Sequence, residues 1–136
     1  MTTPLGQVQA FYTAARSADA VGLAKLLHPG FEAHTAPGMP CGAGGAFHGP
    51  DEALGRIWGA VYQEFETVPY PETWQETSDG TFVVTGHYRG TARSTGRAYE
   101  AEFVHLWRVA DDKLSWLHQY TDTTRWNEAL TPIERV

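Results

Sequence analysis

Residues 97–122, Arg97-Ala98-Tyr99-Glu100-Ala101-Glu102-Phe103-Val104-His105-Leu106-Trp107-Arg108-Val109-Ala110-Asp111-Asp112-Lys113-Leu114-Ser115-Trp116-Leu117-His118-Gln119-Tyr120-Thr121-Asp122, read as two β-strands meeting at Asp111-Asp112. Aromatic and β-branched residues fill both arms, and the paired aspartates are a turn signal. Side chains two apart on a strand share a face, so Tyr99, Ala101, Phe103, His105 and Trp107 line one side while Glu100, Glu102 and Arg108 line the other. The apolar side must be the inner one. His105 is thereby placed among aromatic rings, where loss of water lowers its pKa and leaves it a neutral base or donor at physiological pH.

Upstream, segments near 73–78 and 81–92 carry the same composition and are separated by Ser78-Asp79-Gly80 and Ser94-Thr95-Gly96. Consecutive hairpins make an antiparallel meander. The parity of Val84, Gly86, Tyr88 and Gly90 sets Tyr88 on the inner face, and the two glycines are expected to leave volume beside it. The first half reads as helix. Thr3 caps a helix with Pro4 in its first turn and Leu5, Val8, Tyr12 and Ala15 at helical spacing, with Phe11 flanking. Asp19 caps a second that stops at His28-Pro29-Gly30. Phe31–His34 is a short strand, and Thr35–Gly49, crowded with glycine and proline, is a loop or mobile lid. Pro50 opens the clearest helix, in which Leu54, Ile57, Trp58, Val61, Tyr62 and Phe65 keep α-helical spacing. Helices first and strands second, without βαβ alternation, predict an α+β domain with helices on one face of a curved sheet.

The bulk numbers narrow the function. At 136 residues the chain suits one core, and one domain over 1–136 is expected. Sixteen acidic against ten basic residues, with no Lys/Arg run, argue against nucleic acid as a partner. The opening MTTPLGQVQA has no signal-peptide pattern and no stretch approaches the roughly 20 apolar residues of a membrane span, so a cytoplasmic protein without membrane contact is expected. Cys41 is the one cysteine and reads as a loop or core residue. His87, His105 and His118 fall on successive strands, but parity sends His87 outward, and no HxH or HExxH spacing occurs; neither metal nor cofactor is expected. Five Trp, six Tyr and six Phe suit either a dense core or the walls of a pocket for a small apolar or aromatic ligand.

Three phrases in this order resemble the nuclear transport factor 2-like superfamily: Phe47-His48-Gly49-Pro50-Asp51-Glu52-Ala53 at the third helix, Phe103–Leu114 at the hairpin, and Tyr120-Thr121-Asp122-Thr123 at the end of the last strand. Ala33-His34-Thr35-Ala36-Pro37-Gly38 is similar to the strand-to-lid segment of its SnoaL-type polyketide cyclases and their ketosteroid-isomerase-like relatives. The resemblance spans nearly the whole chain. It implies a cone-shaped, curved antiparallel sheet packed against three N-terminal helices and enclosing a pocket for an apolar molecule. A fold shared by isomerases, cyclases, dehydratases and binding proteins does not fix the reaction.

Carried over by position, the tyrosine, aspartate base and oxyanion aspartate of ketosteroid isomerase fall on Phe11, Thr35 and His105, so only His105 keeps a proton-transferring group. The cyclase pair of histidine and aspartate falls on His105 and Gln119. The family's bulge after the hairpin turns Leu117, Gln119 and Thr121 inward, whereas strict alternation puts Leu114, Trp116, His118, Tyr120 and Asp122 on one face. Under the bulge Asp122 caps a short C-terminal turn over 123–127; a bulge placed elsewhere returns it to the cavity. The expected catalytic set is His105, His34 at the pocket mouth, Tyr88 as an oxygen-orienting phenol, and Asp122. Phe11, Trp58, Phe103 and Trp107 form the walls, with Gln119 as a polar contact. Each has a plainer reading: His105 as a bonded core histidine, His34 as a surface turn residue, Tyr88 as a core tyrosine.

The expected function is proton-transfer catalysis of SnoaL type, a cyclisation, isomerisation or dehydration on a polyketide-like or terpenoid-like substrate; the alternative is a non-catalytic binder of the same fold. Val104 and Leu106 on the outer face, beyond reach of the helices, predict a homodimer.

Overall fold

The computed structural model describes residues 3–133. Helix α1 (Pro4–Arg16) starts as expected, with the Thr3 hydroxyl accepting from the Gly6 amide at 3.0 Å, and it buries Val8, Phe11, Tyr12, Ala14 and Ala15. Helix α2 (Ala20–Leu26) is capped by Asp19 onto the Gly22 amide at 2.9 Å. No loop follows it. Strand β1 (Leu27–Thr35) begins at once and is longer than the expected 31–34 because His28-Pro29-Gly30 continues in extended form.

The glycine-rich stretch hides a strand. β2 (Gly45–His48) pairs antiparallel with β1, with Ala33 opposite Phe47. The remaining lid is held down: Met39 and Ala43 are buried, Thr35 Oγ1 donates to the Ala43 carbonyl, and Asn127 Nδ2 donates to the Gly38 carbonyl at 2.9 Å. Within the expected lid, Met39 is a large side chain that reaches the core.

The third helix is interrupted. α3 (Pro50–Ala53) passes into a π-helical segment (Leu54–Gly59) and then α4 (Ala60–Glu64), the backbone staying helical at both junctions. The wider turn lets the adjacent residues Ile57 and Trp58 both face the core, along with Ala53 and Val61.

The meander appears as β3 (Phe65–Glu76), β4 (Phe82–Ala92), β5 (Ala98–Ala110) and β6 (Lys113–Thr121). The six-stranded sheet has order β2-β1-β6-β5-β4-β3. All neighbours are antiparallel except β1 and β6, which run parallel, so the sheet is mixed rather than antiparallel throughout. Helix α5 (Thr123–Leu130) then docks Trp126 and Ala129, a full helix where a short turn was expected. It adds a C-terminal helix to the three N-terminal ones.

Two details of the sheet shape its inner face. The β5–β6 register jumps from Arg108 opposite Trp116 to Val109 opposite Leu114, leaving Ser115 as the extra residue. Leu114, Leu117 and Gln119 are therefore buried together and His118 and Tyr120 turn outward, which decides between the two readings of this strand. The glycines of β4 line no part of the space beside Tyr88. A Cβ on Gly86 would lie 2.0 Å from the Tyr70 carbonyl oxygen and one on Gly90 2.1 Å from that of Glu66, so the backbone of β3 already fills the space. Among the described residues no helix is long and apolar enough to cross a membrane.

Candidate functional site

The inner face closes on a small chamber. Phe11 of α1, Met39 of the lid, Trp58 of the π-segment and Trp126 of α5 form its apolar walls. Tyr62 of α4, Thr67 of β3, Tyr88 of β4 and Gln119 of β6 supply hydroxyls and an amide. The enclosed space is about 20 Å³, room for about one water, where one needs roughly 10–15 Å³. A second, apolar recess of about 120 Å³ lies between α1, α2 and the π-segment, and Trp58 and Tyr62 are walls of both spaces. Movement of those two rings would join them.

Behind the polar end of the chamber lies a buried chain of hydrogen bonds. Trp107 Nε1 donates to Tyr12 Oη at 3.1 Å, and Tyr12 Oη lies 2.6 Å from His105 Nδ1. His105 Nε2 is 2.9 Å from both Tyr88 Oη and Gln119 Oε1, and the Tyr88 hydroxyl also donates to Gln119 Oε1. Phe103 stacks on the imidazole at 4.1 Å between ring centres, and the face of Tyr12 lies 5.8 Å away. Burial pushes the His105 pKa down to about 3, against a smaller upward pull from its bond to Gln119, so the ring is neutral at pH 7. Burial likewise raises the phenols of Tyr12 and Tyr88, which stay protonated.

The structure therefore brings together His105, Tyr88, Gln119, Phe11 and Trp58. Phe103 and Trp107 lie under the chamber as supports of His105 and Tyr12 rather than as walls. His34 and Asp122 are elsewhere. His34 alternates with the buried Ala33 and Thr35, so it faces outward, its ring 5.5 Å from that of His118. Asp122 is exposed at the start of α5 with no capping bond from its side chain, and its carboxylate lies 4.0 Å from Arg125 Nε. The Ser115 bulge is the cause, since it assigns the inward place to Gln119. Among the described residues no group of three or more His, Cys, Asp or Glu is placed to hold a metal.

Tyr12 is the residue the sequence reading passed over. Its place on the Val8–Tyr12–Ala15 stripe marked it as buried. A buried phenol needs a partner, and that requirement was the available signal.

A curved sheet wrapped round helices, with a small chamber between them, defines a cone-like α+β architecture. Residues 8–117 match the SnoaL-like domain model, and the chain belongs to that family. Its fold is that of the NTF2-like proteins: one from Burkholderia thailandensis E264 is 28% identical with a TM-score of 0.85, over 97% of this chain and 100% of the other. TerC, crystallised with polyporic acid, is 25% identical with a TM-score of 0.81, over 92% and 95%. A Catenulispora acidiphila DSM 44928 protein with a ketosteroid isomerase-like fold, in complex with trimethylamine, shows 12% identity and a TM-score of 0.77, over 93% of each chain. No curated protein sequence matches the chain.

Proposed function

We propose that this chain binds a small, largely apolar, oxygen-bearing molecule of polyketide or terpenoid type in its chamber, widened into the adjoining recess by movement of Trp58 and Tyr62, and assists a proton transfer on it, in a cyclisation, isomerisation or dehydration. The observation that carries this is the cluster of Tyr88, Gln119 and His105, three mutually bonded polar groups of which Tyr88 and Gln119 reach a largely apolar chamber. Tyr88 and Gln119 meet the ligand, and His105 supports them from one bond behind. Burial of the cluster strengthens hydrogen bonds to charge that develops on a ligand oxygen. TerC, at 25% identity, was co-crystallised with polyporic acid, which supports an organic ligand for this chain.

A non-catalytic binder is the second reading, and the lining favours it in one respect. The chamber walls carry phenols, a threonine and an amide, but no carboxylate among the described residues to serve as a base. The two readings separate in heavy water. Incubation with cyclic aromatic or terpenoid ketones, followed by mass spectrometry, is expected to show deuterium entering next to the carbonyl, with loss of that incorporation in Tyr88→Phe. Ligand-induced melting shifts without incorporation support the binder. A flat melting response to every ketone sinks both.

The outer face, with Val104, Leu106, Trp116 and His118 half-buried and Tyr120 exposed, belongs to the same proposal as the contact of a homodimer.

A further inference from the structure

The buried hydrogen bonds behind the chamber run in one direction, and Trp107 sets it. An indole N–H only donates, so Tyr12 Oη accepts from Trp107 Nε1 at 3.1 Å. The phenolic hydrogen of Tyr12 then needs an acceptor inside the core, and the one within reach is His105 Nδ1 at 2.6 Å. Nδ1 is therefore bare, and the single hydrogen of the neutral imidazole sits on Nε2. That N–H points to Tyr88 Oη and Gln119 Oε1, each at 2.9 Å. An amide nitrogen of Gln119 in the same place would set donor against donor, so its carbonyl end is fixed in the cluster, where it also accepts from Tyr88. The other end of the amide has no partner among the described residues, and Gln119 lines the chamber.

We infer that Tyr12 is a positioning residue that holds His105 as the Nε2–H tautomer, so that the Gln119 amide N–H is offered to the chamber and the ligand is taken through an acceptor oxygen, that of a ketone, quinone or enolate. This rests on reading the chamber as a ligand site and names the class of ligand that site selects. With the opposite tautomer Gln119 would turn over, present its carbonyl and select a hydroxyl instead. One hydrogen, placed from the far side of the imidazole, decides the polarity of the site.

Nitrogen-15 NMR of the ligand-free full chain tests the first half. The expected spectrum has His105 Nδ1 at the shift of a bare nitrogen and Nε2 at that of an N–H, with Tyr12→Phe giving a mixture or the reverse. A wild-type Nδ1–H tautomer, or one that Tyr12→Phe leaves unchanged, overturns the role of Tyr12. Calorimetry with 1-tetralone and 1-tetralol tests the second half. The ketone is expected to bind about ten-fold more tightly, the order of one well-made hydrogen bond, and Gln119→Leu is expected to abolish the difference. Equal affinity, or preference for the alcohol, overturns the assigned polarity. Should neither probe bind, the ligand-chamber reading falls with its selectivity, while the spectrum still decides the tautomer. Should Tyr12→Phe not fold, the wild-type spectrum and the Gln119→Leu comparison carry the test.

Discussion

His105 concentrates the physical chemistry of the molecule in one side chain. Its pKa falls from 6.5 to about 3 on folding, so between those values the unfolded chain binds a proton that the folded chain refuses. The stability this confers is complete above about pH 6.5 and is lost as the pH drops toward 3, at about 1.4 kcal/mol per pH unit. Chemical denaturation at stepped pH is expected to show that slope, and His105→Gln to flatten it. In the same variant, any turnover is expected to fall by about ten-fold, the order of one lost hydrogen bond that orients Tyr88 and Gln119, measured by product formation with the fold checked by circular dichroism. Asp122→Asn is the contrast: its side chain makes no capping bond, so stability should stay within about 0.5 kcal/mol and activity unchanged. The inward place of His105 was legible, because alternation around Phe103 and Trp107 fixes it without any fold. The groups that hold it were not. Tyr12 lies 93 positions away, and alternation says which way a side chain faces but not which distant phenol meets it.

At the scale of elements, legibility followed side-chain size. The strands of the meander announce themselves through aromatic alternation, and the third helix through its stripe. β2 was invisible because Gly45 and Ala46 supply backbone pairing with almost no side-chain pattern. The π-segment was invisible too, since its apolar spacing reads equally well as α-helix. Gly86 and Gly90 misled for a related reason: absence of a side chain marks close approach as readily as empty space, and here β3 makes the approach. Gly86→Ala is accordingly expected to cost at least about 1–3 kcal/mol by overpacking, read as an earlier midpoint in urea. Trp58→Ala tests the partition between chamber and recess. It should destabilise by about 3–5 kcal/mol and yet bind bulkier ketones more tightly than wild type, as the two spaces merge.

For the whole molecule, the sheet divides two environments. Its inner face carries the chamber, and its outer face carries an aromatic run in which His118 stacks on Tyr120 at 4.4 Å and Arg108 lies over Trp116 at 4.5 Å. Light scattering at micromolar concentration should give the mass of two chains, and Tyr120→Glu with Val104→Glu should halve it; a monomeric wild type counts against the dimer. The Leu54–Gly59 segment bears on the same division from the helical side. A π-turn winds one more residue into its loop than an α-turn does, so the rod contains a built-in length variant of itself. Loss of a single codon, that for the exposed Gly55, would restore ordinary winding while α3 and α4 keep their faces, and would shift only the wall residues of the segment between them. The chamber could then be resized across a lineage by one insertion or deletion, with no substitution at any wall residue.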